Sequence, residues 1–304
     1  MLLYSAEGLR TLQCHDVTVP RVVRKAIFSL RLWRPRRQRL HAQRQDVNKH
    51  GTHNSVCINS DLSIGCVNAR SIAGKSAVLC KVAADYDLDV LVITETWHES
   101  ISSVSLKRAT PAGFKFIECA RPIMSTMNVH DAGFQNHGGL AFFCRQDFQL
   151  KKKLLDVQAT TFEYLCCMMN VKQSSFLLLG VYRPGSQSVS SLFFDELVSL
   201  LEQISLFKCP IVVCGDFNIH VDDTTDPHAV RFLQLLESFD CRQHVDTLTH
   251  IAGHTLDLVI TRRESAVHMV KVRDLISDHF LITFKLCIKK TIAEQLWTTS
   301  RAWR

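Results

Sequence analysis

Asp216 and Asn218 close the short stretch 211–220, IVVCGDFNIH, and their types and spacing suit hydrolytic chemistry. A carboxylate can take a proton from water, and a carboxamide beside it can hold that water. Four apolar residues, Ile211, Val212, Val213 and Cys214, precede Gly215, which reads as a buried strand stopping at a turn. Residues two apart on an extended strand point the same way, so the pair is expected to share one space if extended geometry persists. Taken alone, Gly-Asp after a strand is also an ordinary turn.

Further polar residues stand at or near the ends of apolar runs: Asn68, Glu95, Tyr182, Asp257, Asp278 and His279. If those ends converge, they form one carboxylate-rich mouth on a rigid scaffold. Hard oxygen donors of this kind suit Mg²⁺ or Mn²⁺, and Mg²⁺ commonly uses only one or two carboxylates. Such a mouth suits phosphoester hydrolysis, where the ion neutralises developing charge and a base orients water. Each residue by itself could equally be a strand-end cap.

The elements that must position these residues read as follows. Residues 64–67 and 90–94 are strand candidates, with helical spacing of Ile72, Val78, Leu79 and Val82 between them. Residues 114–117 and 140–145 suggest two more strands. Segments 164–171 and 176–182, separated by KQSS, suggest a hairpin. A helix is expected over 192–207, capped by Ser190 or Ser191, and another over 226–239 with Pro227 in its first turn. Strands are expected over 255–261 and 280–286. Most of residues 98–137 is poorly patterned, and 124–137 reads as a loop. Strands outnumber helices, which favours a layered α/β sandwich over a bundle.

The chain has 304 residues, 46% of them hydrophobic, enough for a sizeable core. No apolar run nears the roughly 18 residues needed to cross a bilayer, and MLLYSAEGLR is too short and too soon charged for a secretory signal. A nuclear or cytoplasmic protein without a membrane partner is therefore expected. The 12 cysteines include no C-x-x-C pair and read as reduced core residues. Residues 1–55 hold 11 Lys/Arg against 3 Asp/Glu, so the net charge of +7 belongs to this leader. It is expected to be a basic, disordered arm, suited to nucleic-acid contact or a nuclear address. Residues 289–304 read as a tail.

The ordered series VNAR, ITETW, VYRPGS, GDFNIH, HTLDLVIT and SDHF resembles the endonuclease/exonuclease/phosphatase superfamily with the DNase-I-like fold. It is most similar to the endonuclease domains of non-LTR retrotransposons, over about residues 60–288. The resemblance implies a four-layer α/β/β/α sandwich of two packed mixed sheets flanked by helices. It implies a metal-dependent DNA endonuclease with one Mg²⁺ (or Mn²⁺), held by Glu95 with Asn68 beside it and Asp278 nearby. Asp216 would activate the attacking water and Asn218 would help hold it. His279, oriented by Asp257, would stabilise the phosphate, and Tyr182 would contact the phosphate or the leaving oxygen. Arg70, Arg183, His220 and Thr255 are the expected substrate contacts.

Members of the repair type often carry an acid where this chain has Arg70, so a second metal-site carboxylate is missing and one ion is expected. Two other functions fit the same fold. A phosphomonoesterase or lipid phosphodiesterase is the first, although Ile219 and His220 follow Asn218 where inositol phosphatases tend to have a basic residue. The second is an inactive retroelement remnant, since only 16 residues follow Ile288 and no reverse transcriptase is among them.

Overall fold

The apolar runs become strands because almost every residue in them is covered on both faces. The computed structural model describes residues 60–121, 137–171, 174–265 and 267–288. The expected arm (1–55) and tail (289–304) lie outside the described residues, as does nearly all of the loop expected over 124–137. The strands are β1 (Ser60–Asn68), β2 (Val90–Thr94), β3 (Phe114–Cys119), β4 (Leu140–Arg145), β5 (Gln149–Lys152) and β6 (Glu163–Val171). They continue as β7 (Ser174–Tyr182), β8 (Ile211–Asp216), β9 (Cys241–Gln243), β10 (Asp257–Arg262), β11 (Val267–Leu275) and β12 (Phe280–Ile288). Among the described residues four helices accompany them: α1 (Ser76–Asp85), α2 (Val104–Ala109), α3 (Ser191–Ser205) and α4 (Pro227–Ser238).

Two six-stranded sheets result, in the orders β11-β12-β1-β2-β4-β3 and β5-β6-β7-β8-β10-β9. Both are mixed: β1 runs parallel to β2, and β7 to β8, while the other pairs are antiparallel. Their inner faces form a common core from Ile64, Val92, Phe142 and Phe284 on one side and Leu178, Val212 and Val259 on the other. Helices α1 and α2 cover the outer face of the first sheet through Leu79, Val82 and Leu106. Helices α3 and α4 cover the second through Phe193, Leu197, Leu200 and Phe232. The order of layers is therefore α/β/β/α, as the resemblance implies. Neighbours Val212 and Val213 face different cores, so β8 reads as an unbroken apolar run. Burying each such side chain contributes about 1.5–3 kcal/mol.

Helix ends follow the residues expected of them. Ser190 caps α3 by accepting the Phe193 N–H, and Asp226 caps α4 by accepting that of His228, with Pro227 in the first turn. Four elements went unanticipated: α2, β5, β9 and β11. The three strands are sheet edges with mostly partly exposed residues, so they lack the apolar signal of a buried strand.

The topology brings chemistry to one end of the sandwich. The C-terminal ends of β1, β2, β7 and β8 meet the N-terminal ends of β10 and β12 there. Register makes this concrete: Asn68 pairs with Thr94, Tyr182 with Asp216, and Asp216 with Asp257.

Candidate active site

Asp216 lies at the bottom of this end beside Asp257, neither residue with any exposed surface. Asp216 Oδ1 accepts the Asn218 backbone N–H at 2.9 Å, and its Oδ2 accepts Nδ2 of Asn68 at 2.8 Å and of Asn218 at 2.9 Å. Asn218 reaches Asp216 by a route other than the expected one. Extended geometry does not persist past the strand; Asn218 has φ +48°, and the chain folds back so that Asp216 accepts the N–H two residues on. The Asn218 amide also donates to Arg183 O at 2.7 Å, so it is held on both sides.

Asn68 brackets two carboxylates. Its Nδ2 gives one N–H to Glu95 Oε1 at 2.8 Å and the other to Asp216 Oδ2, while its Oδ1 accepts the Arg70 N–H at 2.9 Å. Two acceptors and one donor fix the amide this way round. Glu95 also accepts the indole N–H of Trp97 at 3.1 Å and hydrogen-bonds Tyr182, whose phenol is held in its neutral form by burial and by the Glu95 charge. Glu95 and Trp97 both adopt positive φ, +51° and +53°. Beside that strained backbone the buried Thr96 and His98 link to half-buried Glu118, at 2.6 and 2.7 Å.

His279 Nδ1 meets Asp257 Oδ2 at 2.7 Å, and its Nε2 lies 3.9 Å from Asp216 Oδ2. Burial opposes the imidazolium, but the Asp257 hydrogen bond and charge, with Asp216 and Asp278, outweigh it and lift the pKa to about 9. Asp216 is pushed up to about 8, by burial first and then by the Asp257 charge. A base near neutrality and an acid that stays charged are thereby placed side by side. Thr249 Oγ1, which the sequence reading did not single out, accepts the N–H groups of Leu256 and Asp257 and anchors the start of β10.

Asp278 pairs through Oδ2 with Arg70 Nη1 at 2.7 Å, and the Arg70 side chain is largely exposed. The expected substrate contacts divide. Arg70 and His220 reach the surface, with His220 stacked on His254 at 3.8 Å. Arg183 and Thr255 are buried and serve the scaffold instead. Arg183 donates to the carbonyls of Phe217, Gln187 and Asn218 at 2.6–2.7 Å, and Thr255 donates its hydroxyl to Thr247 O. Replacing Arg183 with alanine leaves the buried Phe217 carbonyl and the part-buried Asn218 carbonyl without this donor and is expected to lower unfolding stability by about 2–4 kcal/mol, read as a fall in the urea midpoint.

The donor set suits a hard divalent ion. The Glu95 carboxylate has donors on both oxygens yet retains lone-pair capacity, and the buried Oδ1 atoms of Asp257 and Asp278 have no hydrogen-bond partner among the described residues.

A family model described as "Endonuclease/Exonuclease/phosphatase family" matches residues 65–279. The chain belongs to this family. Its members are hydrolases of phosphodiesters or phosphate esters. No curated protein sequence matches the chain. Among solved structures, the human Nocturnin catalytic domain is 17% identical, covering 77% of this chain and 96% of its own, with a TM-score of 0.55. The endonuclease domain of TRAS1, a telomere-specific non-LTR retrotransposon, is 14% identical over 75% of this chain and 98% of its own, TM-score 0.53. The 3′ phosphatase NExo from Neisseria, solved with product DNA hairpin, is 17% identical over 74% and 99%, TM-score 0.53. These likenesses show the DNase-I-like fold. Among the described residues, no helix is long and apolar enough to cross a membrane.

Proposed function

We propose that this chain is a Mg²⁺- or Mn²⁺-dependent endonuclease of the retroelement type that nicks DNA by hydrolysing a phosphodiester. The observation that carries the reading is the series Asp257–His279–Asp216–Asn68–Glu95, buried up to its half-buried last member, each within 3.9 Å of the next at one end of the sandwich. A base, a charged imidazole and a metal-binding carboxylate are what in-line attack of water on phosphorus requires.

Asp216 accepts the proton of the attacking water, while Asn218 holds the carboxylate in place. His279, kept charged by Asp257, stabilises the negative oxygens of the transition state. Glu95 would hold a single ion, with Asp278 on the same side, and Asn68 keeps Glu95 and Asp216 at a fixed separation. That ion, when bound, neutralises charge developing on the phosphate. Arg70 faces the phosphate backbone from the rim. The basic leader adds salt-sensitive phosphate contacts that carry no sequence information. The TRAS1 domain and the DNA-bound NExo structure are consistent with a nucleic-acid substrate.

Purified protein is expected to convert supercoiled plasmid to open circles with Mg²⁺ and to lose that activity in EDTA. Release of inorganic phosphate from inositol phosphates, with plasmid left intact, would instead assign a phosphomonoesterase.

A further inference from the structure

The loop between β9 and β10 brings a second imidazole to the site. His250 packs edge-on against His279, with ring centroids 4.6 Å apart and planes at 67°. Backbone bonds hold the two segments together: Phe280 N–H donates to Thr249 O at 2.8 Å and Ile251 N–H to Asp278 O at 3.0 Å. A ring nitrogen of each histidine and a carboxylate oxygen of Asp278 all lie within 4.8 Å of one another.

Such a cluster invites reading as a metal site, but the hydrogen bonding of His250 argues otherwise. Its Nδ1 accepts the Ala252 N–H at 3.1 Å, so Nδ1 carries no proton and the neutral ring must carry it on Nε2. A metal at Nε2 would need the proton on Nδ1, where the Ala252 N–H already points. His250 is thus built to donate. Its Nε2 lies 3.7 Å from Asp278 Oδ2, too long for a hydrogen bond, and that oxygen is already taken by Arg70 at 2.7 Å. The Arg70 pairing also neutralises Asp278, which would otherwise repel an anion at this spot.

We infer that His250 is a further catalytic residue: its Nε2–H hydrogen-bonds a non-bridging oxygen of the scissile phosphodiester beside His279. The inference rests on the phosphodiesterase reading above. An oxyanion docked on His279 presents its other oxygens to a donor this close, and a preformed donor needs no rearrangement as charge develops.

The test compares wild type, His250→Phe and His250→Gln in nicking of supercoiled plasmid with Mg²⁺ or Mn²⁺, alongside thermal melts. Phenylalanine keeps the ring contact with His279 and removes the donor; glutamine keeps a donor within reach. The expected result is a kcat roughly 10²-fold lower for His250→Phe with KM little changed, and recovery of most of it by His250→Gln. The inference is overturned if wild type nicks and His250→Phe nicks as fast. It is equally overturned if both variants are slow and melt early, which would mark a packing role. A wild-type protein that leaves the plasmid intact removes the phosphodiesterase reading, and this inference goes with it.

Discussion

Replacing Asp216 with asparagine is expected to cut metal-dependent plasmid nicking roughly 10³-fold while leaving the protein folded. Asparagine has nearly the same shape but cannot accept a proton. The fold should tolerate the change because the native carboxylate opposes folding. Its pKa is raised from 3.8 to about 8, so the folded state holds a proton that the unfolded state releases. Stability from this group therefore falls as pH rises between those two values, and asparagine removes that slope. One donor contact is lost in exchange, since an NH₂ group must face at least one of the N–H groups now bound to the carboxylate. The melting temperature should shift by no more than about 4 °C. A variant that melts with wild type and still nicks would exclude Asp216 as the base.

In the proposed mechanism the same pair sets the pH profile. His279 would act while charged and Asp216 while ionised, so activity should follow a bell whose limbs belong to the coupled groups. The sign for His279 matches the sign for Asp216. Its folded pKa of about 9 lies above 6.5, so its stabilising contribution is complete below the lower value and is lost as pH rises through the upper. Asp257 raises both groups. Asp257→Asn should accordingly move the entire bell to lower pH, besides lowering its height, which is measured by rate against pH at saturating metal. Movement of one limb alone would mean that Asp257 acts on a single partner.

Much of the architecture was legible because buried strands advertise themselves. Residues 90–93 and 211–214 are apolar throughout since both faces of a central strand meet a core. Edge strands such as β5 and β11 meet water along much of their length, so their composition resembles that of loops. The site was legible at the level of which residues sit at strand ends. It was less legible in what each side chain faces. Arg70, Glu95, Trp97 and Asn218 all have positive φ, where the alternation that lets one read side-chain direction along a strand no longer applies. Arg183 and Thr255 show the consequence: both have types suited to phosphate, and both are spent on backbone carbonyls. Trp97, Thr249 and His250 were passed over for the opposite reason. Their types carry little catalytic signal beside a carboxylate-rich motif, and only the folded chain shows whose atoms they touch.

The largest expected effect on stability comes from the smallest residue of the motif. Gly215→Ala should destabilise the protein by about 3–5 kcal/mol or prevent folding altogether. Gly215 has φ +142°, in a region that side chains rarely enter, and a Cβ there would stand 2.0 Å from the Val181 carbonyl oxygen and 2.9 Å from Val181 C and N. The obstacle is backbone of β7, paired with Gly215 in parallel register, so it cannot swing aside as a flexible side chain could. Relief would require β8 to shift against β7, and with it Asp216, whose carbonyl holds the Arg183 N–H at 2.9 Å and whose carboxylate meets both asparagines. Gly253 supplies the control: φ is +85°, but an added Cβ meets nothing within 4 Å. Gly253→Ala should therefore cost only the conformational term, about 1–2 kcal/mol. Urea unfolding of the two variants separates backbone strain from collision, and equal midpoints would show that β8 can yield. Because the collision lies one residue before the proposed base, any Gly215→Ala protein that does fold should also nick slowly, its Asp216 displaced from the oxygen-rich mouth.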